Sequence, residues 1–379
     1  MACVAYSMAE VAPLVRRPVQ VEPDQVYQEI GVRSFGKGVF HKPPSTSLVI
    51  GDKRVFAIEP GDLLFNIVFA WEGAVAVAGD EERGTIGSHR FLTCVTNSQL
   101  ALAPYLYWHF IHERGLKQLQ LASPGGAGRN RTLGTDKLAA IMIELPSIER
   151  QQQVVDKLDG AARKIARLRQ AARATQAELK TTLNSAFRKA IARAPRIAIG
   201  DIAPIVRRPV ELESNGVYAE LGVRSFGKGL FKKPDLVGGE LTWQKLFRIH
   251  CGDIVFSNIK AWEGAFGVAK QEHHGKVGSH RYLTCVVDTK RTTPNFLWYF
   301  LQSAEGLSQV QAASPGSADR NRTLNQKKLA AIEVPLPSLD AQLWFDELQR
   351  IASGVQAGQS EVAAELDHLI PALMHQAFD

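Results

Sequence analysis

The first residues to weigh are those whose types and spacing could handle phosphate. Gly31-x-x-x-x-Gly36-Lys37 has most of the glycine-lysine loop that cradles nucleotide phosphates, and the stretch from Gly222 to Lys228 has it again. Such a loop needs a Ser or Thr after the lysine to bind Mg²⁺ and must then open a helix. Here Gly38 or Gly229 follows the lysine, and Val39-Phe40-His41-Lys42-Pro43-Pro44 cannot start a helix. Ser88-His89 and Ser279-His280 set a nucleophile beside a base. Adjacent strand residues point to opposite faces, so the hydrogen bond that activates a serine cannot form between them within a strand. With no acidic third member, no nuclease-type carboxylate cluster and no glycine-rich turn suited to a nucleotide or AdoMet, the chain reads as non-catalytic, with no cofactor or metal of its own.

What recurs is a set of basic, polar and aromatic residues among glycines. Arg33, Ser34, Phe35, Lys37 and His41 form one group, His89 and Arg90 a second, and Arg129, Asn130 and Arg131 a third. Their counterparts are Arg224, Ser225, Lys228 and Lys232, then His280 and Arg281, then Arg320, Asn321 and Arg322. Arg and Lys neutralise phosphates or read guanine, and Asn reads adenine. Each residue alone is an ordinary surface charge. The set carries more weight, because both copies keep it while Ser45–Arg54 and Leu236–Leu246 differ. DNA is the expected partner, and Trp71 and Trp262 are expected to be core anchors.

The elements that position these groups come in duplicate. Ala12-Pro13-Leu14-Val15-Arg16-Arg17-Pro18-Val19 returns as Ala203 to Val210, Gly31 to Gly38 returns unchanged as Gly222 to Gly229, and Ala70-Trp71-Glu72-Gly73-Ala74 returns as Ala261 to Ala265. One shared offset of domain size marks a duplication and excludes a short-period solenoid. Each copy alternates short apolar strands with turns, holds one aromatic-rich helix opened by Pro104 or Pro294, and ends in a strand that leads into a long helix. Val26–Ile30 reads as one strand. The chain of 379 residues is too long for one ordinary core. A net charge of +7 is compatible with a polyanionic partner. No apolar run approaches the length of a membrane span. The start lacks a basic segment followed by a sustained apolar one, and the four cysteines show no CxxC spacing. A cytoplasmic protein with buried free thiols is expected.

From Val155, the positions Leu158, Ala162, Ile165, Leu168, Ala172, Thr175, Leu179, Leu183, Phe187 and Ile191 keep to one helical stripe. Leu348, Ala352, Val355, Gln359, Val362, Leu366, Leu369 and Leu373 follow steps of four and three, a heptad seam. The first helix is cationic from Arg163 to Arg196. The second lacks Lys and Arg after Arg350 and carries Glu361, Glu365 and Asp367. Opposite charge beside two apolar stripes predicts that the helices pair with each other. Because the chain must return through a whole domain between them, the pair is expected to be antiparallel with a domain at either end. The expected division is 1–146 and 195–337 for two mixed α/β domains of an α+β chain, with 147–194 and 338–379 as long spacer helices.

The boundary Leu145-Pro146-Ser147-Ile148-Glu149-Arg150-Gln151, preceded by Ser-Pro-Gly, Arg-Asn-Arg and Leu-Ala-Ala-Ile segments, resembles the end of a target recognition domain in the specificity subunit of type I restriction-modification systems. The resemblance spans essentially the whole chain. The second boundary, Leu336-Pro337-Ser338-Leu339-Asp340, looks like a variant, with Gln342 read as one residue out of step. The resemblance implies two target recognition domains related by a pseudo-twofold, each reading half of a bipartite DNA site. It also implies association with methyltransferase subunits, expected as two, and with an endonuclease/translocase subunit. AdoMet, ATP and Mg²⁺ would then belong to those partners. Because the two domains are so alike, the half-sites are expected to be alike and inverted, diverging at His41/Lys232, Asn66/Ser257 and Gly128/Asp319. A stand-alone tandem DNA-binding protein, or a like component of another phage-defence system, is the alternative.

Overall fold

The computed structural model describes residues 3–126, 131–240, 245–316 and 322–378. It divides into two compact units, one of Met1–Ala172 with Ser360–Asp379 and one of Arg173–Gln359. Each unit thus holds one globular domain with part of both long helices.

In the first unit, a four-stranded antiparallel sheet has the order Leu14–Val15, Phe91–Cys94, Leu63–Asn66, Val75–Val77. Continuous burial of Leu63, Leu64 and Phe65 explains the unalternating apolar run there. The helix Ala103–Ile111, with Pro104 in its first turn, packs Phe110 edge-on against Phe65 at 5.2 Å. The strand Val4–Ser7 pairs antiparallel with Met142–Leu145, so the domain's first strand lies beside its last. The stretch read as one strand, Val26–Ile30, is two short ones: Val26–Tyr27 pairs with Ser45–Thr46, and Ile30–Val32 with Val39–His41.

The second unit repeats this plan. Its sheet runs Phe266–Val268, Ile254–Ser257, Tyr282–Cys285, and a lone bridge from Ile205 to Cys285 stands where the first domain has its fourth strand. Arg196–Ala198 pairs with Glu333–Pro335 as Val4–Ser7 does with Met142–Leu145.

The long helices are Ile148–Ile191 and Leu339–Phe378, of 44 and 40 residues. Gln151 fastens the start of the first: its amide donates to the Leu100 and Pro146 carbonyls and accepts from the Leu102 N–H, all within 3.0 Å. Gln342 does the same with Arg291, Pro337 and Thr293. Both glutamines are fully buried. Gln342 follows Leu336 at the distance at which Gln151 follows Leu145, so the two boundaries are in step, contrary to the reading from sequence.

Antiparallel pairing appears inside each unit. In the first, Lys157 hydrogen-bonds Gln376 and Arg169 pairs with Asp367, so advance along one helix is retreat along the other. In the second, Phe187 meets Phe345 at 5.3 Å while Leu183 and Leu348 join the same core. The apolar seam closes at the helix ends but stays partly open elsewhere, with Leu168, Val355, Val362 and Leu369 each about 39–52 % exposed. Among the described residues, Arg169–Asp367 is the one ion pair joining the helices. An exposed pair of this kind contributes little to stability.

Cys94 and Cys285 are buried, their thiols pushed up to about 12 by loss of solvent, whereas Cys3 and Cys251 are exposed. The buried pair is the repeat-equivalent one in apolar strands, as expected, and the expectation of burial does not extend to Cys3 and Cys251. Among the described residues, no helix is long and apolar enough to cross a membrane.

Candidate nucleic-acid interface

Gly31 lies in a strand opposite Phe40, and a Cβ there would come within 2.3 Å of the Phe40 ring. Gly222 stands in the same relation to Phe231 at 2.5 Å. The glycine therefore makes room for a cross-strand ring and cradles no phosphate. That ring in turn supports a cation: Arg33 lies 4.6 Å from the Phe40 centroid, and Arg224 lies 4.7 Å from that of Phe231. Both arginines are exposed and held by cation–π contact, leaving the charge available to a partner.

In the first domain Arg33, Ser34 and Arg90 line one cavity of about 420 Å³ together with Asn66, Phe69 and Ser88. The corresponding cavity of the second domain, about 370 Å³, holds His280 and Arg281 with Ser257, Ile259 and Lys233. Asn66 and Ser257 occupy matching strand ends, opposite Phe91 and Tyr282. An amide stands in one cavity and a hydroxyl in the other. His89 and Arg90 sit on the turn between Ile86–Ser88 and Phe91–Cys94, so the within-strand argument for Ser88-His89 covers Ser88 alone.

The remaining expected residues are dispersed. Ser34 and Ser225 donate their hydroxyls to Glu72 and Glu263, bracing the loop from within. His41 pairs with Glu82 at 3.1 Å, and Lys232 with Asp235 at 3.3 Å. Arg131 lies 5.1 Å from the Trp71 ring and Arg322 lies 4.8 Å from that of Trp262. The two tryptophans are half-buried and belong to neither apolar core, which corrects their reading as core anchors. Each ring instead lies against an arginine. Arg129, Asn130, Arg320 and Asn321 lie outside the described residues, as do Gly128 and Asp319.

Lys228 lies beside Lys270, His273 and Trp298 in a cavity of about 270 Å³. The first domain has Gly79, Glu82 and Tyr107 at the matching positions, and the Tyr107 hydroxyl donates to Gly36 O at 2.8 Å. Trp298 has no such bond: its buried indole N–H has no acceptor among the described residues. Sequence reading passed over Lys270 and His273 because each lies where the copies differ. It also treated both arginines of Arg16-Arg17 and Arg207-Arg208 as undistinguished repeats. Arg17 makes two bonds to the buried Asp62, at 2.7 and 3.1 Å, and Arg208 does the same to Asp253. The carboxylate raises the Arg17 pKa above its ordinary value.

Compared with solved structures, the whole chain superposes on the HsdS subunit from Thermoanaerobacter tengcongensis, with 18 % identity, a TM-score of 0.58 and 96 % of that chain covered. It likewise superposes over 97 % of a chain from a structure described as the basis of complex assembly and conformational transition of the type I R-M system, at 18 % identity and TM-score 0.66. A third is the type I restriction-modification S subunit from M. genitalium, at 13 % identity, TM-score 0.52 and 96 % coverage. The chain has the S-subunit fold. No protein-family model and no curated protein matches it. The likeness to S subunits is thus one of fold, and it extends over the full length of this chain in all three cases.

Proposed function

We propose that this chain is the DNA sequence-recognition subunit of a type I restriction-modification complex, itself non-catalytic. The observation that carries the reading is the full-length S-subunit fold in a chain whose two domains both raise an exposed arginine on an aromatic ring, Arg33 also lining a basic cavity. Each domain reads one half of a bipartite site. Arg33, Lys37, Arg90, Arg129 and Arg131, with Arg224, Lys228, Arg281, Arg320 and Arg322, supply phosphate and guanine contacts. His89, Asn130, His280 and Asn321 extend those edges, while Ser34 and Ser225 brace the loops. His41 and Lys232, with Asn66 and Ser257, set any difference between the half-sites.

At about 1.5 Å per residue, the first long helix is about 66 Å long. Leu343, Trp344 and Ile351 of the second helix are about half-exposed, a strip that a protein partner would cover. Two methyltransferase subunits and an endonuclease/translocase subunit are the proposed partners, bringing AdoMet, ATP and Mg²⁺ with them. Affinity purification of the tagged chain from its native host tests this: a DNA methyltransferase subunit should co-purify. Recovery of the chain alone, still bound to DNA, would instead favour a stand-alone binding protein.

A further inference from the structure

The loops that carry Arg33 and Arg224 end in a feature that charge does not account for. Phe35 has φ of +62° and Phe226 of +61°, in the left-handed region that residues with a Cβ seldom occupy. Their rings are 71 % and 75 % exposed, so neither is held there by burial. The strain is imposed by the backbone. The Phe35 N–H donates to Glu72 O at 2.8 Å and Gly36 N–H to Gly73 O at 2.9 Å, while Ser34 grips the Glu72 carboxylate. Phe226, Gly227 and Ser225 make the same three bonds to Glu263 and Gly264. Glycine at either position would form this turn without strain. Two domains that both keep a strained, exposed, backbone-pinned ring hold it for something outside the fold.

We propose that Phe35 and Phe226 are base-contacting residues, apolar rings presented from a pinned backbone to the bases of each half-site while the neighbouring cations hold phosphate. The inference rests on the DNA-recognition reading above. DNA is the occupant because the ring shares its short loop with Arg33 and Lys37, and the Lys37 ammonium lies 5.7 Å from the Phe35 centroid. In the second domain Arg224 and Lys228 flank Phe226. The pinned backbone fixes where each ring is presented, and apolar contact with a base edge does not depend on salt as a phosphate contact does.

The test uses the full chain as wild type and as the F35G/F226G double variant, with a randomised duplex pool as probe. Binding is measured across a salt series and the retained DNA is sequenced. Glycine relieves the left-handed strain, so the variant should melt no lower than wild type. Its affinity for the duplexes that wild type enriches should fall about tenfold per ring, with an unchanged salt slope and a relaxed sequence preference. Unchanged affinity and preference would overturn the proposal, as would weaker binding accompanied by a lower melting temperature or a shallower salt slope. If the wild type itself enriches no duplex, the recognition reading fails first, independently of the rings.

Discussion

At the residue scale, some matching buried sites of the two domains hold unlike side chains. His109 is buried against Phe110 and Phe378, and loss of solvent pushes its pKa down from 6.5 to about 4. Between those values the unfolded chain binds a proton that the folded one does not, so stability falls as pH drops through that window. The decrease amounts to about 3 kcal/mol at its acid end. Phe300 fills the matching site in the second domain and cannot titrate. H109F should therefore flatten the chain's stability between pH 6.5 and about 4, as measured by denaturant titration at each pH. An unaltered acid dependence would assign it to other groups. The exposed arginines make a separate prediction: R33A or R90A should lower the slope of log affinity against log salt by about 0.9 for each phosphate left without its cation. R17A should instead cost about 3 kcal/mol of stability by leaving Asp62 buried without its cation.

The boundary motif makes sense at the element scale. Leu-Pro-Ser-x-x-x-Gln ends a strand, turns at proline and starts a helix whose first buried side chain is a fully bonded amide. Q151A or Q342A would leave two carbonyls and an N–H without partners, and Q342A would also strand the buried Thr292 hydroxyl. Each should cost about 2–3 kcal/mol, read as a shift in the urea midpoint. An effect within experimental error would show that water replaces the amide. The long helices, the sheet strands and the proline-opened helix were legible in sequence because apolar periodicity over many residues reports burial directly. The single strand read at Val26–Ile30 failed because the chain changes partner at Gln28 and Glu29, a tertiary choice that no local pattern records. Trp71 misled for a related reason: its residue type marks it as apolar, but the half-buried ring lies against Arg131, a tertiary contact that no local pattern records. Phe35 was visible among the glycines, while its left-handed backbone was not.

At the scale of the whole molecule, the repeat had most of the story in it. Two copies of every loop underlie the proposal of two readers, and the long helices pair antiparallel within each unit. The differences between the copies lie around the loops: Asn66 against Ser257 on the cavity walls, and Glu82 against His273 beside the glycine loop. If each domain reads DNA through these loops, the half-sites share most positions and diverge at few. Methylome sequencing of a host carrying this chain with its methyltransferase subunits tests that account most directly. It predicts one interrupted motif whose two halves are near-identical and inverted, whereas two unrelated halves, or an uninterrupted motif, would contradict it.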